Sequence, residues 1–314
     1  MKNKNQTLTM RDAFLESIYQ AMSHNKNIYF LTADFGAPIL DKIRNEYKNR
    51  FINVGVAEQN LINISSGLAS EGYDVYAFAI APFITMRCYE QIRINLALTS
   101  SLKKINVNLI GVGAGVSYDV SGPTHHCLED LSIMSLLPNF TIFSPSDIIL
   151  VKKFFSHTLK NKNPKYLRFD SKPLGIIDEK FFNFNFLDGF RLIKNQSDKC
   201  LVTTGYMTHV ARNINNKIKE KVDIIDFYSL KKFNKIKLFS FLKKYKSIVT
   251  LEESFEKYGS IENIVKTIMI NSKKNIKYTF KGFENRYTFD VGDRNFIHKL
   301  NKISETDIIS ELES

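Results

Sequence analysis

Apolar positions recur along this chain in two alternating rhythms, short buried runs and longer stretches with a single apolar face. Ala13, Phe14, Ile18 and Met22 fall on one side of a helix predicted over Arg11–Ser23, and Ile28–Thr32 follows as a buried strand. Arg50–Gly55 reads as a strand and Leu61–Glu71 as a helix, with Leu61, Ile64 and Leu68 on one face and small Ser65, Ser66, Gly67, Ala69 and Ser70 among them. The alternation continues with strands at Val75–Ala79, Ile105–Val112, Phe140–Phe143 and Tyr166–Phe169. Helices are predicted at Thr85–Leu98, at Leu128–Leu137, which Pro138 ends, and at Ile148–Leu159, capped by Ser146 or Asp147. Strands separated by helices predict an α/β fold with a parallel sheet covered on both faces.

Between Lys172 and Asp198 the rhythm breaks into an aromatic, irregular connector. A second series follows, with strands at Cys200–Thr204, Val222–Asp226 and Ser247–Leu251 and helices from Thr208, near Lys235–Tyr245 and from Ser260. The expected organisation is a first domain over 1–175, a connector over 176–184 and a smaller α/β domain over 185–314. The 314 residues, 44% hydrophobic, leave room for one large domain or two, and the break favours two.

Composition narrows the class. Three cysteines, Cys88, Cys127 and Cys200, form no close pair, which argues against a disulfide framework and for a reducing compartment. Met1–Thr9 is polar, without the apolar core of a signal peptide, and no apolar run approaches about 18 residues, so neither export nor membrane insertion is expected and the expected location is cytoplasmic. The formal charge of +12 raises the question of a polyanion partner. Its lysines are spread through helical stretches, densest at Lys217–Lys221 and Lys231–Lys246, with no RNA-binding aromatic signature or finger spacing, so no nucleic-acid function is expected. A basic surface does help to attract phosphorylated substrates or an acidic subunit.

Two segments carry candidate chemistry. In Val54-Gly55-Val56-Ala57-Glu58-Gln59-Asn60 an acid stands at a strand-to-helix corner, where α/β folds place ligands. From position alone Glu58 needs no catalytic role, since an acid in the first turn of a helix stabilises the exposed amides by roughly 0.3 to 1 kcal/mol. The second segment runs from Gly111 to His126 and ends Ser121-Gly122-Pro123-Thr124-His125-His126. Its glycines do not open directly into a helix, which excludes a dinucleotide fingerprint, and adjacent histidines without further ligands nearby do not make a metal site. Glu252-Glu253, at a strand end of the second domain, reads as structural.

Together, Gly55-Val56-Ala57-Glu58 and Gly122-Pro123-Thr124-His125 resemble the pyrimidine-binding half of transketolases and of the related deoxyxylulose-phosphate synthases. The resemblance spans essentially the whole chain and implies a parallel-sheet domain that binds the pyrimidine of thiamine diphosphate, followed by a transketolase C-terminal domain. It makes Glu58 the acid that hydrogen-bonds the aminopyrimidine, a role that calls for desolvation, here expected from Val54, Val56 and Phe83. It makes Phe83, in Ala81-Pro82-Phe83-Ile84-Thr85-Met86-Arg87, the ring that stacks on the pyrimidine, and Asp34 an aspartate close to the cofactor at the subunit interface. His125 is implied as a catalytic residue contacting substrate oxygens, with His126 beside it. Arg168, Arg11 and Arg87 match arginines that bind substrate phosphate, Arg87 across an apparent one-residue insertion.

Departures accompany the matches. Ser121 stands where transketolases have an aspartate, Gly113 where they have a histidine, and Pro38 where they have a serine that binds substrate phosphate, which puts the usual sugar-phosphate substrate in question. The family's Gly-Asp-Gly motif, which holds the diphosphate with Mg2+ or Ca2+, has no counterpart; Gly292-Asp293-Arg294 is the nearest string. The resemblance therefore implies the C-terminal subunit of a split transketolase, active with an N-terminal diphosphate-binding partner in an α2β2 assembly. The implied reaction transfers a two-carbon ketol unit between a ketose and an aldose, either sugars or sugar phosphates. The beta subunit of a 2-oxo acid dehydrogenase, a synthase-like enzyme and a non-catalytic polyanion-binding module remain as alternatives.

Overall fold

The computed structural model describes residues 8–177, 184–272 and 274–313, so part of the expected connector, 178–183, lies outside the described residues. The chain divides into two compact units. The first comprises Met1–Ala114, Ile133–Phe143 and Asp147–Ile176, and the second Gly115–Ser132, Ser144–Ser146 and Ile177–Ser314.

In chain order the elements up to Phe169 are α1 (Met10–His24), β1 (Ile28–Thr32), α2 (Leu40–Glu46), β2 (Phe51–Asn53), α3 (Glu58–Ser70), β3 (Asp74–Ile80), α4 (Tyr89–Gln91), β4 (Asn106–Val112), α5 (Asp130–Ser135), β5 (Thr141–Phe143), α6 (Ile148–Lys160) and β6 (Lys165–Phe169). The six strands form one sheet in the order β2-β1-β3-β4-β6-β5, every pair parallel. β4 and β6 are buried along their whole length, as expected of strands covered on both faces. Phe14 of α1 meets Tyr76 and Phe169 edge-on at 6.1 and 5.4 Å between ring centres. Asp147 caps α6, its Oδ1 accepting from the amides of Ile149 and Leu150 at 3.0 Å each.

The predicted helix over Thr85–Leu98 is corrected in detail. Only α4 is α-helical there, between π-helical stretches at Phe83–Arg87 and Ile92–Leu98. Periodicity alone does not distinguish a π turn, which carries one more residue between hydrogen-bonded groups than an α turn does.

The second unit adds β7 (Phe190–Ile193), β8 (Lys199–Thr203), α7 (Tyr206–Lys217), β9 (Asp223–Phe227), α8 (Lys235–Leu242), β10 (Ser247–Phe255), α9 (Ser260–Met269), β11 (Lys277–Phe283), α10 (Arg294–Leu300) and α11 (Glu305–Glu313). Its sheet runs β11-β10-β8-β9-β7, parallel except for β7, which pairs antiparallel with β9 at the edge. β7 falls inside the stretch expected to be irregular. Arg191 is fully buried because its Nε donates to Asp226 at 2.7 Å and its Nη2 to the Ser146 hydroxyl at 3.0 Å, while that hydroxyl donates to Asp226 at 2.5 Å. An arginine inside a four-residue strand masks the apolar pattern that marks strands.

Candidate active site

Four candidate residues of the first unit, Asp34, Glu58, Phe83 and Arg87, follow the C-terminal ends of parallel strands, whereas Arg11 lies in α1. From β1 the chain runs outward to β2 and then returns past β1 to β3, so the topology switches between β1 and β3, where open α/β sheets form a crevice. Asp34 follows β1, Glu58 follows β2, and Phe83 and Arg87 follow β3. Arg168, buried in β6, pairs in register with Gly111.

Asn53, at the end of β2, ties two of these loops together. Its Oδ1 accepts from the amides of Asp34 and Gly55, and its Nδ2 donates to the Asp34 carboxylate, each at 3.0 Å. Asn53 was not among the residues expected from sequence, although an Asn two residues before a Gly is the mark of an Asx turn. Gly55 is needed for its backbone, at φ +75°, since nothing would obstruct a side chain there. A cavity of about 440 Å³ opens beside Asp34, with Phe35, Pro38 and Arg44 among its lining.

Glu58 is the first residue of α3 and only 4% exposed. The apolar enclosure expected around it is corrected at Val56, which is 75% exposed and does not contribute to the burial of the acid. Its partner is Arg87, whose Nη1 donates to Glu58 Oε2 at 2.7 Å while the guanidinium lies 4.6 Å from the centre of the Phe83 ring. Phe83 and Arg87 begin and end one π-helical stretch, so that Arg87 reaches both the acid and the Phe83 ring. Cys88 closes the turn, its thiol donating to the Ile84 carbonyl at 2.8 Å; burial, and then the nearby Glu58 charge, push that thiol up to about 12. Arg11 is not joined to this cluster, since Asp12 holds its guanidinium at 2.8 and 3.2 Å.

His125 and His126 belong to the second unit, on a loop closed by an antiparallel bridge between Gly115 and Cys127. Val116 and Leu128 sink into an apolar cluster with Phe283, Ile297 and Ile303. Glu253 anchors the loop's surroundings: Arg294 donates to it at 2.8 and 2.5 Å, and His298 Nε2 lies 2.6 Å from it. Burial pushes the Glu253 carboxyl up, but Arg294 and His298 outweigh it and hold it well below the usual carboxylate range. The Arg294 amide then donates to Asp119 of the loop at 3.0 Å. This arrangement agrees with a structural role for Glu253, while Glu252 accepts from the amide of Ile261 near the start of α9.

At the tip, Gly122 adopts φ +76° and its carbonyl accepts from the His125 amide at 3.0 Å, which forms the expected Ser-Gly-Pro turn. His125 Nδ1 lies 3.0 Å from the Thr124 hydroxyl. His126 is buried, and its Nε2 has no hydrogen-bond partner. Burial lowers its pKa against the opposing effects of its bond to the Asp119 backbone and the charges of Glu253 and Asp119, so the ring is neutral at pH 7.

Comparison with known proteins places this geometry in a family. Residues 6–175 match the transketolase pyrimidine binding domain, and residues 189–292 match the transketolase C-terminal domain. A putative transketolase C-terminal section from Methanocaldococcus jannaschii is 27% identical over 273 residues, covering 85% of this chain and 84% of that protein. A subunit of the apulose-4-phosphate transketolase from Actinobacillus succinogenes is 26% identical over 268 residues, with 84% of each covered. The 6-deoxy-6-sulfo-D-fructose transketolase subunit SqwH of a Clostridium species is 25% identical over 249 residues, covering 78% of this chain and 76% of that one. Among solved structures, a split-gene transketolase described as an inactive beta4 tetramer superposes with a TM-score of 0.81 at 22% identity, covering 98% of this chain and 97% of that one. The transketolase of Campylobacter jejuni superposes with a TM-score of 0.77 at 17% identity, over 99% of this chain but 47% of that one. The chain therefore belongs to the transketolase family and carries its pyrimidine-binding and C-terminal domains in the manner of the C-terminal subunit of a split transketolase.

Proposed function

We propose that this chain is half of a two-chain transketolase, assembled as α2β2, which transfers a two-carbon ketol unit from a ketose to an aldose. The observation that carries the reading is the buried Glu58 carboxylate at a helix start, beside Phe83 and held by a side chain that can exchange it for another partner. An aminopyrimidine needs an acid at its ring nitrogen and a flat apolar surface against its face. Glu58 and Phe83 supply both, and the planar guanidinium over Phe83 marks the stacking surface. No group of His, Cys, Asp or Glu residues among the described ones could hold a metal ion. The diphosphate and its Mg2+ or Ca2+ are assigned to an N-terminal partner subunit, since the sequence has no counterpart of the family's Gly-Asp-Gly motif.

When bound, thiamine diphosphate supplies a nucleophilic carbon and an electron sink that lets the neighbouring carbon–carbon bond break. Glu58 would hydrogen-bond the pyrimidine nitrogen, and Asp34 follows the neighbouring strand β1. His125 holds substrate oxygens and moves protons at them, and the neutral His126 offers its unpartnered Nε2 to a substrate hydroxyl. Arg168 and Arg87 hold the anionic end of the sugar, and Arg11 joins them only by leaving the Asp12 carboxylate that holds it. Two relatives are named for sugars with such an end, one a phosphate and one a sulfonate, which supports an anionic substrate.

The test mixes this chain with a diphosphate-binding transketolase subunit, thiamine diphosphate and Mg2+, and offers phosphorylated, sulfonated and neutral ketoses with an aldose acceptor. Ketol transfer is expected in the mixture and in neither chain alone. Cofactor binding by the mixture without consumption of any ketose would contradict the reading.

A further inference from the structure

We propose that Arg87 is a two-position side chain that couples occupancy of the pyrimidine site to capture of the substrate's anionic group, an inference that rests on the function proposed above. Its guanidinium holds the Glu58 carboxylate at 2.7 Å and covers the Phe83 ring at 4.6 Å. Those are the two surfaces that an aminopyrimidine requires, so ring and guanidinium exclude each other. Arg87 is 44% exposed, against 4% for Glu58, so the arginine is the partner able to move while the acid stays in place. Displacement leaves a guanidinium on the rim of the crevice without its carboxylate. Its planar fork then binds a phosphate or sulfonate of the incoming sugar in place of that carboxylate.

The sign of the coupling follows. With the pyrimidine site empty, an anion must compete with Glu58 for Arg87. With the site filled, that competition is gone, so anion affinity rises, and by reciprocity anion binding favours the filled site. The empty subunit keeps its buried carboxylate paired, which avoids the cost of an isolated buried charge.

The test uses the reconstituted two-chain complex with Mg2+ and D-arabitol 5-phosphate, a sugar-alcohol phosphate with no carbonyl to react. Its affinity is measured calorimetrically in two states. One holds thiamine diphosphate, and the other holds 2-(4-methylthiazol-5-yl)ethyl diphosphate, which fills the diphosphate site but has no pyrimidine. The expected result is binding about tenfold tighter in the thiamine diphosphate state, within the usual range of coupling between sites. Glu58→Gln should bind tightly in both states, and Arg87→Met weakly in both. Equal wild-type affinities, or no binding in either state, would overturn the proposal. If thiamine diphosphate itself fails to bind the complex, the proposed function falls as well, which separates the two failures.

Discussion

The chemistry of this subunit turns on how single side chains are partnered. Glu58 stood out in the sequence as an acid at a helix start, but the sequence did not show what would hold it. An ion pair across 29 residues leaves no periodic trace, so Arg87 read as a substrate arginine alone. Asn53 left a legible local sign, an Asn two residues before Gly55, and its bonds to Asp34 and Gly55 explain why these loops keep their shape. His126 gives a direct prediction at this scale. Its pKa is lowered by burial, against the bond to the Asp119 backbone and the charges of Glu253 and Asp119, with His125 adding to the lowering. Between that lowered value and about 6.5 the unfolded chain binds more protons than the folded one. The stability contributed by the neutral ring is thus full above about pH 6.5 and is lost as pH falls below it. His126→Gln should flatten the rise of urea stability between pH 5 and 7 by up to about 1.4 kcal/mol per pH unit. Identical slopes for the two proteins would show that the ring is not held neutral.

At the scale of elements, the six strands of the first unit were legible from alternating apolar runs because their sheet is parallel and buried, whereas the short helix α2, with only Leu40 and Ile43 buried, was not expected from sequence. β7 was hidden by its buried Arg191, and the π turn by a periodicity too close to that of an α-helix. The histidine loop follows β4 in sequence, yet its packing against Phe283, Ile297 and Ile303 comes from residues far along the chain, which no local pattern reveals. Its tolerance of substitution differs from glycine to glycine. A Cβ on Gly115, at φ +56°, would stand 1.9 Å from Glu253 Oε2, whereas one on Gly122, at φ +76°, meets nothing within 4 Å. Gly122→Ala, at ψ −172° in a backbone region essentially reserved for glycine, should therefore carry only the backbone cost, about 1–3 kcal/mol. Gly115→Ala should cost that and roughly 1–3 kcal/mol more for the overlap, and it should also displace the carboxylate that holds Arg294. Equal losses in urea unfolding would mean that Glu253 yields to the added methyl without strain.

At the scale of the whole molecule, the sequence read correctly as a two-part α/β chain of the transketolase family, because motif and fold agree across its length. Interleaving of the compact units, with Gly115–Ser132 and Ser144–Ser146 grouped with the C-terminal part, arises from packing between distant segments and has no sequence signature. All three cysteines are buried thiols outside any disulfide, and burial pushes up those of Cys88, to about 12, and Cys200, higher still. An aromatic disulfide reagent should accordingly label no thiol in the native chain at pH 8 within minutes and all three after denaturation. Rapid native labelling of one thiol would mark a locally open region.

The central claim is that Glu58 activates thiamine diphosphate supplied by a second chain, and the most direct measurement is proton exchange at the cofactor's reactive carbon. Deuterium uptake at that carbon, followed by NMR in the reconstituted complex, should be fast with the wild-type chain. It should be slower by at least about a hundredfold with Glu58→Gln, the scale of a positioned general acid, while cofactor still binds. Unchanged exchange with Glu58→Gln in a complex that holds the cofactor would contradict the account.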